Sequence, residues 1–459
     1  MKQCVVKIAH VVAAGALSCL ACTAHIETTN ALARNDAAGE SPDVTTMIAD
    51  AGASVAPTGD VGAVVRRVNA ARRDQVSLAC TVPVANKPQK PAETGAPLWV
   101  KSFGATNPTT DVATDAEGNV LVASSGVGLL KLDPGGTPLW SKPFGSLVAT
   151  DANDDVYVAG TLTGTLTVGT SELHTIGGTD VYLVKLDPSG NVLYGVALGG
   201  AEDDDALSLA VDASGSALLS GRGLGTVRLD ATAHVVWAKP FYGHVALDSD
   251  GNALITGELS GAEDFGGGAL HSAGGADVFV VKLSAAGEHV FSHRFGDGGA
   301  EQRGQAIAVD GSKNVLIGGV FDGELDFGAS ALSLPSGTCP AEVWCKTAGF
   351  VAKLDANGNA LWGVSHGPMR SLSGITVDSH ERVVVSGAQP GGVSPFHIPL
   401  LFELSSSGAE RWQRSEWPET GIGSGHRVVV DPCDNVLWTV SALPSLGGDE
   451  RPYLAKLSQ

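Results

Sequence analysis

The chain has 459 residues, and 49 Asp+Glu against 29 Lys+Arg leave a net charge of −20, which argues against a polyanion such as nucleic acid or an anionic lipid surface as partner. With 60 Gly, 22 Pro and 17% charged residues, the composition suits many short strands joined by tight turns. Length alone would allow two or three domains, but a fold whose repeats pack only on their neighbours can run this long as one.

Residues 1–22 read as an export signal: Lys2 and Lys7 precede an apolar run over 11–21 broken only by Gly15, Ser18 and Cys19, too short for a spanning helix. Cys22, with the small Ala21 before it, is the expected lipidation site, although Cys19 stands at −3 where such signals usually carry Leu. The expected location is therefore the outer membrane or cell surface as a lipoprotein, with free secretion as the alternative. Residues 23–93 are rich in Ala, Thr, Pro and Asp, a linker composition that cannot bury a core. Within it, 62–77 has the pattern of a short helix with exposed arginines, too short to be stable alone.

From residue 94 to 459 the chain repeats. An Asp closes an apolar strand before a tight turn in VATDAEGNVLVAS (Asp115), VATDANDDVYVAG (Asp151), LAVDASGSALLSG (Asp212), VALDSDGNALITG (Asp248), IAVDGSKNVLIGG (Asp310), ITVDSHERVVVSG (Asp378) and VVVDPCDNVLWTV (Asp431). The spacings of 36, 61, 36, 62, 68 and 53 residues alternate short and long at first, so a two-blade unit reads as duplicated, with length differences confined to one loop. A second half follows each Asp segment, as in LLKLDPGGTPLW and FVAKLDANGNALW, and places Trp140, Tyr194, Trp237, Phe291, Trp362 and Trp412 in register. The seventh copy stops at Gln459, while GAPLWVKSFG near the start of the region matches GTPLWSKPFG and supplies Trp99. A first strand that completes the last repeat closes a ring and leaves no free sheet edge. The expectation is an all-β, seven-bladed β-propeller of four-stranded antiparallel blades, with residues 97–103 pairing to 453–457.

Long units such as GAEDFGGGALHSAGGADVFVVKLSAAG and GELDFGASALSL resemble the bacterial β-propeller repeat family called SBBP. That resemblance covers about the last four-fifths of the chain and implies a propeller and an exported location, not a reaction. The L-D-x-x-G-x-x-L-W half is similar to the tryptophan-docking motif of quinoprotein dehydrogenases, whose usual eighth blade and adjacent cysteines are missing here.

Most residues that could carry chemistry have a simpler reading. The oxygens of Asp151, Asn153 and Asp155, and those of Asp248, Asp250 and Asn252, are spaced like the start of a calcium loop, but no acidic residue closes either, and Asp, Asn and Gly are what tight hairpins require. The seven aromatics read as packing between blades rather than a sugar-binding stripe. His174 and His271 occupy matching loop positions through repeat homology before metal binding. No G-x-S-x-G, H-E-x-x-H or phosphate-cradling loop occurs, and no cofactor or metal is implied. Export leaves Cys80, Cys339, Cys345 and Cys433 in an oxidising compartment. Cys339 pairs naturally with Cys345, six residues away in one loop, and zinc lacks a nearby second pair. Cys80 is expected to reach Cys433 and staple the linker to the ring closure.

The uniform Asp/Gly turns occupy one face of such a ring. The variable connections 161–179, 258–276, 320–348, 388–399 and 441–452 occupy the other, where binding on a rigid scaffold usually lives. Four residues before each repeated Asp lie Asp111, Leu147, Ser208, His244, Ala306, Gly374 and Arg427, at the loop-bearing mouth of the channel. Asp111, His244 and Arg427 are the polar candidates for a ligand site, with a solvated rim as the plain alternative. The function expected is a non-catalytic, exported, membrane-tethered monomer that binds a protein or glycan and touches membrane only through its lipid. The rivals are a propeller enzyme, quinoprotein-like or a polysaccharide lyase, and a structural envelope component.

Overall fold

The computed structural model describes residues 7–12, 96–103, 110–299, 301–328, 331–333, 347–391, 397–415, 423–442 and 451–458. They form the expected propeller: seven four-stranded antiparallel blades at 110–142, 147–199, 208–239, 244–295, 302–368, 371–414 and 423–457, the last completed by Pro97–Ser102. The closing strand pairs Pro97 with Leu457 and Ser102 with Tyr453. Ala96 accepts a backbone bond from Ser458 at 2.9 Å, so the chain enters the ring on the Asp/Gly-turn face. Lys7–Val12, within the segment read as an export signal, adds a fifth strand to the outer edge of blade 2, Lys7 opposite Gly199 and Val12 opposite Tyr194. Residues 13–95, Cys22 and Cys80 among them, lie outside the described residues, as do Cys339 and Cys345.

Why the blades look alike follows from what each strand must bury. The middle strands are covered on both sides by neighbouring sheets and read as apolar runs, for example Val120–Ser124 and Asp180–Leu186, buried throughout. Outer strands such as Pro138–Lys142 alternate, with Leu139 exposed and Trp140 turned inward. Four of these indoles dock on the next blade: Trp99 donates to the Pro134 carbonyl at 3.1 Å, Trp140 to Pro188 at 3.1 Å, Trp237 to Ala285 at 3.0 Å and Trp362 to Ser406 at 3.0 Å, while the Trp412 Nε1 is buried without a partner. The rings lie over the glycines of those turns, Gly136, Gly190, Gly287 and Gly408. Trp99 makes this contact across the closure, from the last blade to the first.

The repeated Asp does more than turn the chain. Its Oδ1 accepts backbone N–H bonds two and four residues on, as Asp248 does from Asp250 at 3.0 Å and Asn252 at 2.9 Å. Its Oδ2 meets a buried cation from the blade's third strand: Asp115 with Lys131 at 2.9 Å, Asp151 with Lys185 at 3.1 Å, Asp212 with Arg228, Asp248 with Lys282 at 3.0 Å, Asp310 with Lys353 at 2.7 Å and Asp431 with Lys456 at 2.7 Å. Blade 6 has Glu403 in the cation's position, and Arg382, four residues after Asp378, supplies the charge from the turn itself. Three of the lysines also donate to a carbonyl of the next blade: Lys131 to Pro188, Lys282 to Ala356 and Lys456 to Pro134.

Every one of these turns has its residue at Asp+3 in the left-handed region, Gly118, Gly215 and Gly251 in three blades, Asp154, Lys313, Glu381 and Asp434 in the other four. Side chains there are strained by about 1–2 kcal/mol. All four reach back to the preceding blade's turn: Asp154 to the Ala116 N–H at 2.9 Å, Lys313 to Asp250 at 2.6 Å, Glu381 to the Ser312 hydroxyl at 3.0 Å and Asp434 to the Ser379 N–H at 3.0 Å. The two carboxylates of blade 2 that resembled the start of a calcium loop are employed here, Asp151 and Asp155 both on Lys185, at 3.1 and 2.9 Å.

Three of the variable connections do not stand free. They fold into hairpins, Thr165–Val168 with Ser171–His174, Ala262–Asp264 with Ala269–His271, and Glu324–Asp326 with Ala331–Ser333. Each hairpin plugs the outer wedge between its blade and the one before. Phe265 packs between Phe241 of the preceding blade, 4.9 Å between ring centres, and Phe279 of its own at 4.8 Å. Phe327 repeats this with Phe295 at 4.7 Å and Phe350 at 5.5 Å. In blade 2, Val168 joins Phe144 and Tyr182 in one buried cluster. The D-F-G stretches that carry the repeat resemblance are therefore packing elements.

Candidate functional site

Inner strands line the central channel and begin at the loop-bearing mouth. In blades 1 to 4 the residue four before the Asp lies at or next to the strand start, as at Asp111, Leu147, Ser208 and His244. In blades 5 to 7 the strand starts earlier, and register shifts fall at Gly304/Ala306, Leu372/Gly374 and Gly425/Val428. Ala306, Gly374 and Arg427 are thus internal to bulged strands rather than at the lip.

The structure brings two of the three polar candidates together. Arg427 Nε lies 3.4 Å from Asp111 Oδ1, joining the last blade to the first. Asp111 also accepts the N–H of Val112 at 3.0 Å and of Val148, in blade 2, at 3.0 Å. Burial raises its carboxyl pKa, against the lowering effect of the Arg427 charge. Ser208 makes the analogous link, accepting the Val245 N–H at 3.1 Å. These residues border a cavity of about 270 Å³ in the channel with Gly374 and Ile375. Their side chains tie inner strands together, so a solvated rim does not describe them.

His244 belongs to a different place. It forms the inner end of a groove of about 840 Å³ that crosses the loop-bearing face over blade 4. Its walls are the connection into blade 4 with Tyr242, the blade 4 connection with Glu258 and Glu263, and the connection into blade 5 with Glu301 and Arg303. Arg303 is held between Glu258 at 3.1 Å and Glu301 at 3.2 Å. Three carboxylates against one guanidinium make the groove acidic. Tyr242 presents its ring at the edge, 44% exposed. Burial, then the Arg427 charge, push the His244 imidazole down to about 3, so it is neutral near pH 7, and its buried Nδ1 has no hydrogen-bond partner. Beside Arg427, burial likewise lowers His426 to about 4.

Of the groove residues, sequence reasoning named His244 and the 258–276 connection but not Tyr242, Glu301 or Arg303. The only available signal was that Tyr242 sits two residues before a channel position in a connection with no turn to make. Cys433 lies in the Asp431 turn of blade 7, where its N–H donates to Asp431 Oδ1 at 2.9 Å. That is the face on which the chain enters.

No family model matches the chain. Among curated proteins, an uncharacterized WD repeat-containing protein of Acanthamoeba polyphaga mimivirus is 27% identical over 158 residues, 31% of this chain and 11% of that relative, so the match spans a small part of its length. Among solved structures, U3-55K aligns with a TM-score of 0.48 at 10% identity, covering 79% of this chain and 100% of that one. The Pan2 WD40 domain of Neurospora crassa aligns at 0.46 and 9%, covering 80% and 97%, and BamB from Moraxella catarrhalis at 0.38 and 11%, covering 78% and 97%. Identities this low concern the fold alone. The chain is a β-propeller repeat protein, a conclusion that its own strand pairing carries.

Proposed function

We propose that this is an exported, lipid-tethered binding propeller, in the manner of the SBBP proteins that its repeats resemble, and that it takes a segment of a partner protein into the acidic groove over blade 4. The observation that carries the reading is the groove itself: a cavity of about 840 Å³ walled by three separate connections, with a neutral, half-buried histidine at its inner end. Its excess of carboxylates favours a segment bearing lysine or arginine, and its concave form gives that segment somewhere to be desolvated. A glycan is the second reading, favoured by the exposed ring of Tyr242.

Tethering through Cys22 fits the geometry of the closure. The described chain joins the ring at Ala96 on the Asp/Gly-turn face, opposite the loop-bearing groove, and a tether entering there would leave the groove open. A Cys80 to Cys433 disulfide would hold that arrangement; in its support, Cys433 carries no free thiol and lies on the required face. Cell fractionation of the wild type and of Cys22→Ala tests the anchor, and non-reducing peptide mapping tests the staple. For the function, the exported chain is presented to cell-surface proteins and to a glycan array, alongside Tyr242→Ala/Glu263→Gln. Binding lost in that variant supports the groove, and binding that survives it refutes the assignment.

A further inference from the structure

We propose that Asp180 and Asp204 form a divalent-cation site at the loop-bearing end of the junction between blades 2 and 3. Asp180 opens the third strand of blade 2, Asp180–Leu186, and is fully buried. Its Oδ2 accepts the N–H groups of Ile176 at 2.5 Å and Gly177 at 3.3 Å. Its Oδ1 is buried without any hydrogen-bond partner. Asp204, also buried, lies in the connection to blade 3, its N–H on the Thr179 carbonyl at 2.7 Å and its Oδ2 on the Gly200 N–H at 2.8 Å. Both carboxylates converge on Gly199, where a methyl group would collide with Asp180 Oδ1 and Asp204 Oδ2 together.

Blade 4 contains the same construction with opposite electrostatics. Asp277 opens its third strand and is likewise fully buried, its Oδ2 accepting the Ala273 N–H at 2.6 Å and its Oδ1 also without a hydrogen-bond partner. Gln302 stands in the place of Asp204, with its N–H on the Ala276 carbonyl at 2.7 Å and its Oε1 beside Gly296. There the charge is balanced, because Arg294 Nη1 donates to Asp277 Oδ2 at 2.9 Å. Arg294 pairs opposite Phe279, and the residue of blade 2 in that register, opposite Tyr182, is Ala197. Blade 2 therefore carries a second buried carboxylate and lacks the half-buried cation of blade 4. Among the described residues no lysine or arginine bonds either acid, and Arg222 nearby is committed to Asp205.

Two carboxylates in one dry site need a counter-charge. Hard oxygen ligands suit Ca²⁺ or Mg²⁺, with water completing the shell. Bound there, the ion would fasten the connection between blades 2 and 3 to the end of the blade 2 loop.

The test is titration of the full chain, in chelator-treated buffer, with CaCl₂ and separately MgCl₂, read by calorimetry and by thermal unfolding. The expected result is one ion per chain and a saturable rise in the unfolding midpoint. Asp204→Gln, which copies blade 4, should lose both while raising the ion-free midpoint. Asp180→Asn serves if that variant does not fold. Arg294→Ala with Gln302→Asp should gain a second ion. An unresponsive parent chain, or a response that persists in Asp204→Gln, overturns the proposal. So does an ion-insensitive midpoint whose pH dependence vanishes in Asp204→Gln, since the two acids would then share a proton.

Discussion

Replacing Lys282 by Met removes one ammonium from the interior of blade 4 and tests what holds neighbouring blades together. Lys282 is 5% exposed and its partner Asp248 4% exposed, with 3.0 Å between Nζ and Oδ2. The same ammonium donates to the Ala356 carbonyl of blade 5 at 3.1 Å. Stranding a buried carboxylate costs about 3–5 kcal/mol, and the lost inter-blade bond adds about 1 kcal/mol. Bonds from Asp250, Asn252 and the Asn252 amide at 2.8 Å remain on Asp248 and moderate the loss, so we expect about 3–4 kcal/mol. Urea unfolding at pH 7 measures it, with Arg222→Met as control, because its exposed pair with Asp205 is screened by solvent and should contribute little. The double variant Lys282→Met/Asp248→Asn should recover part of the loss, because a neutral amide keeps most of the turn's bonds. Acid dependence gives a second readout. Burial alone would raise the Asp248 carboxyl pKa, but bonds from Asn252 and Lys282 outweigh it and hold the group below its usual value. That stability is present above the unfolded carboxylate pKa of about 3.9 and lost as pH falls through the lower folded value. In Lys282→Met the acid limb should move to higher pH. A cost equal to that of Arg222→Met, with an unmoved acid limb, would refute the view that these buried pairs clamp the ring.

Deletion of Pro97–Ser102 should open the ring and lower the urea midpoint, whereas a midpoint equal to the intact protein's would contradict the closure. Phe265→Ala should cost about 3–5 kcal/mol in thermal or urea unfolding, because the ring fills the wedge between Phe241 and Phe279; a cost below about 1 kcal/mol would mean that the hairpin merely rests on the blades. His244 and His426, held neutral with pKa values of about 3 and about 4, contribute stability that is complete above the unfolded histidine value of about 6.5. It declines on acidification, by at most about 1.4 kcal/mol per pH unit for each. His244→Asn should flatten the stability profile between pH 6.5 and 4, and an unchanged slope would exclude an imidazole held neutral in the fold.

Architecture was legible in the sequence because it rests on period. Seven copies of one Asp turn, an aromatic in register in each blade and a first strand completing the last repeat determine strand number, sheet sense and closure without any knowledge of packing. The partner of the Asp was also written there, as the Lys of K-L-D, but its meaning depends on two strands lying side by side. Only the fold sets Lys185 against Asp151, or lets Arg382 answer for Glu403 in blade 6. The variable loops show the same limit. Their lengths mark them as exceptional, yet whether such a segment binds or packs depends on the wedge beside it, and Phe265 and Phe327 were drawn into those wedges by apolar burial. Asp111, His244 and Arg427 share a register position, but the bulges in blades 5 to 7 and the ring's curvature divide them, Asp111 and Arg427 to the channel neck and His244 to the groove. Repetition in sequence specifies what every blade has in common; the differences acquire chemistry only where two blades meet, because burial and charge balance belong to the junction and not to either strand.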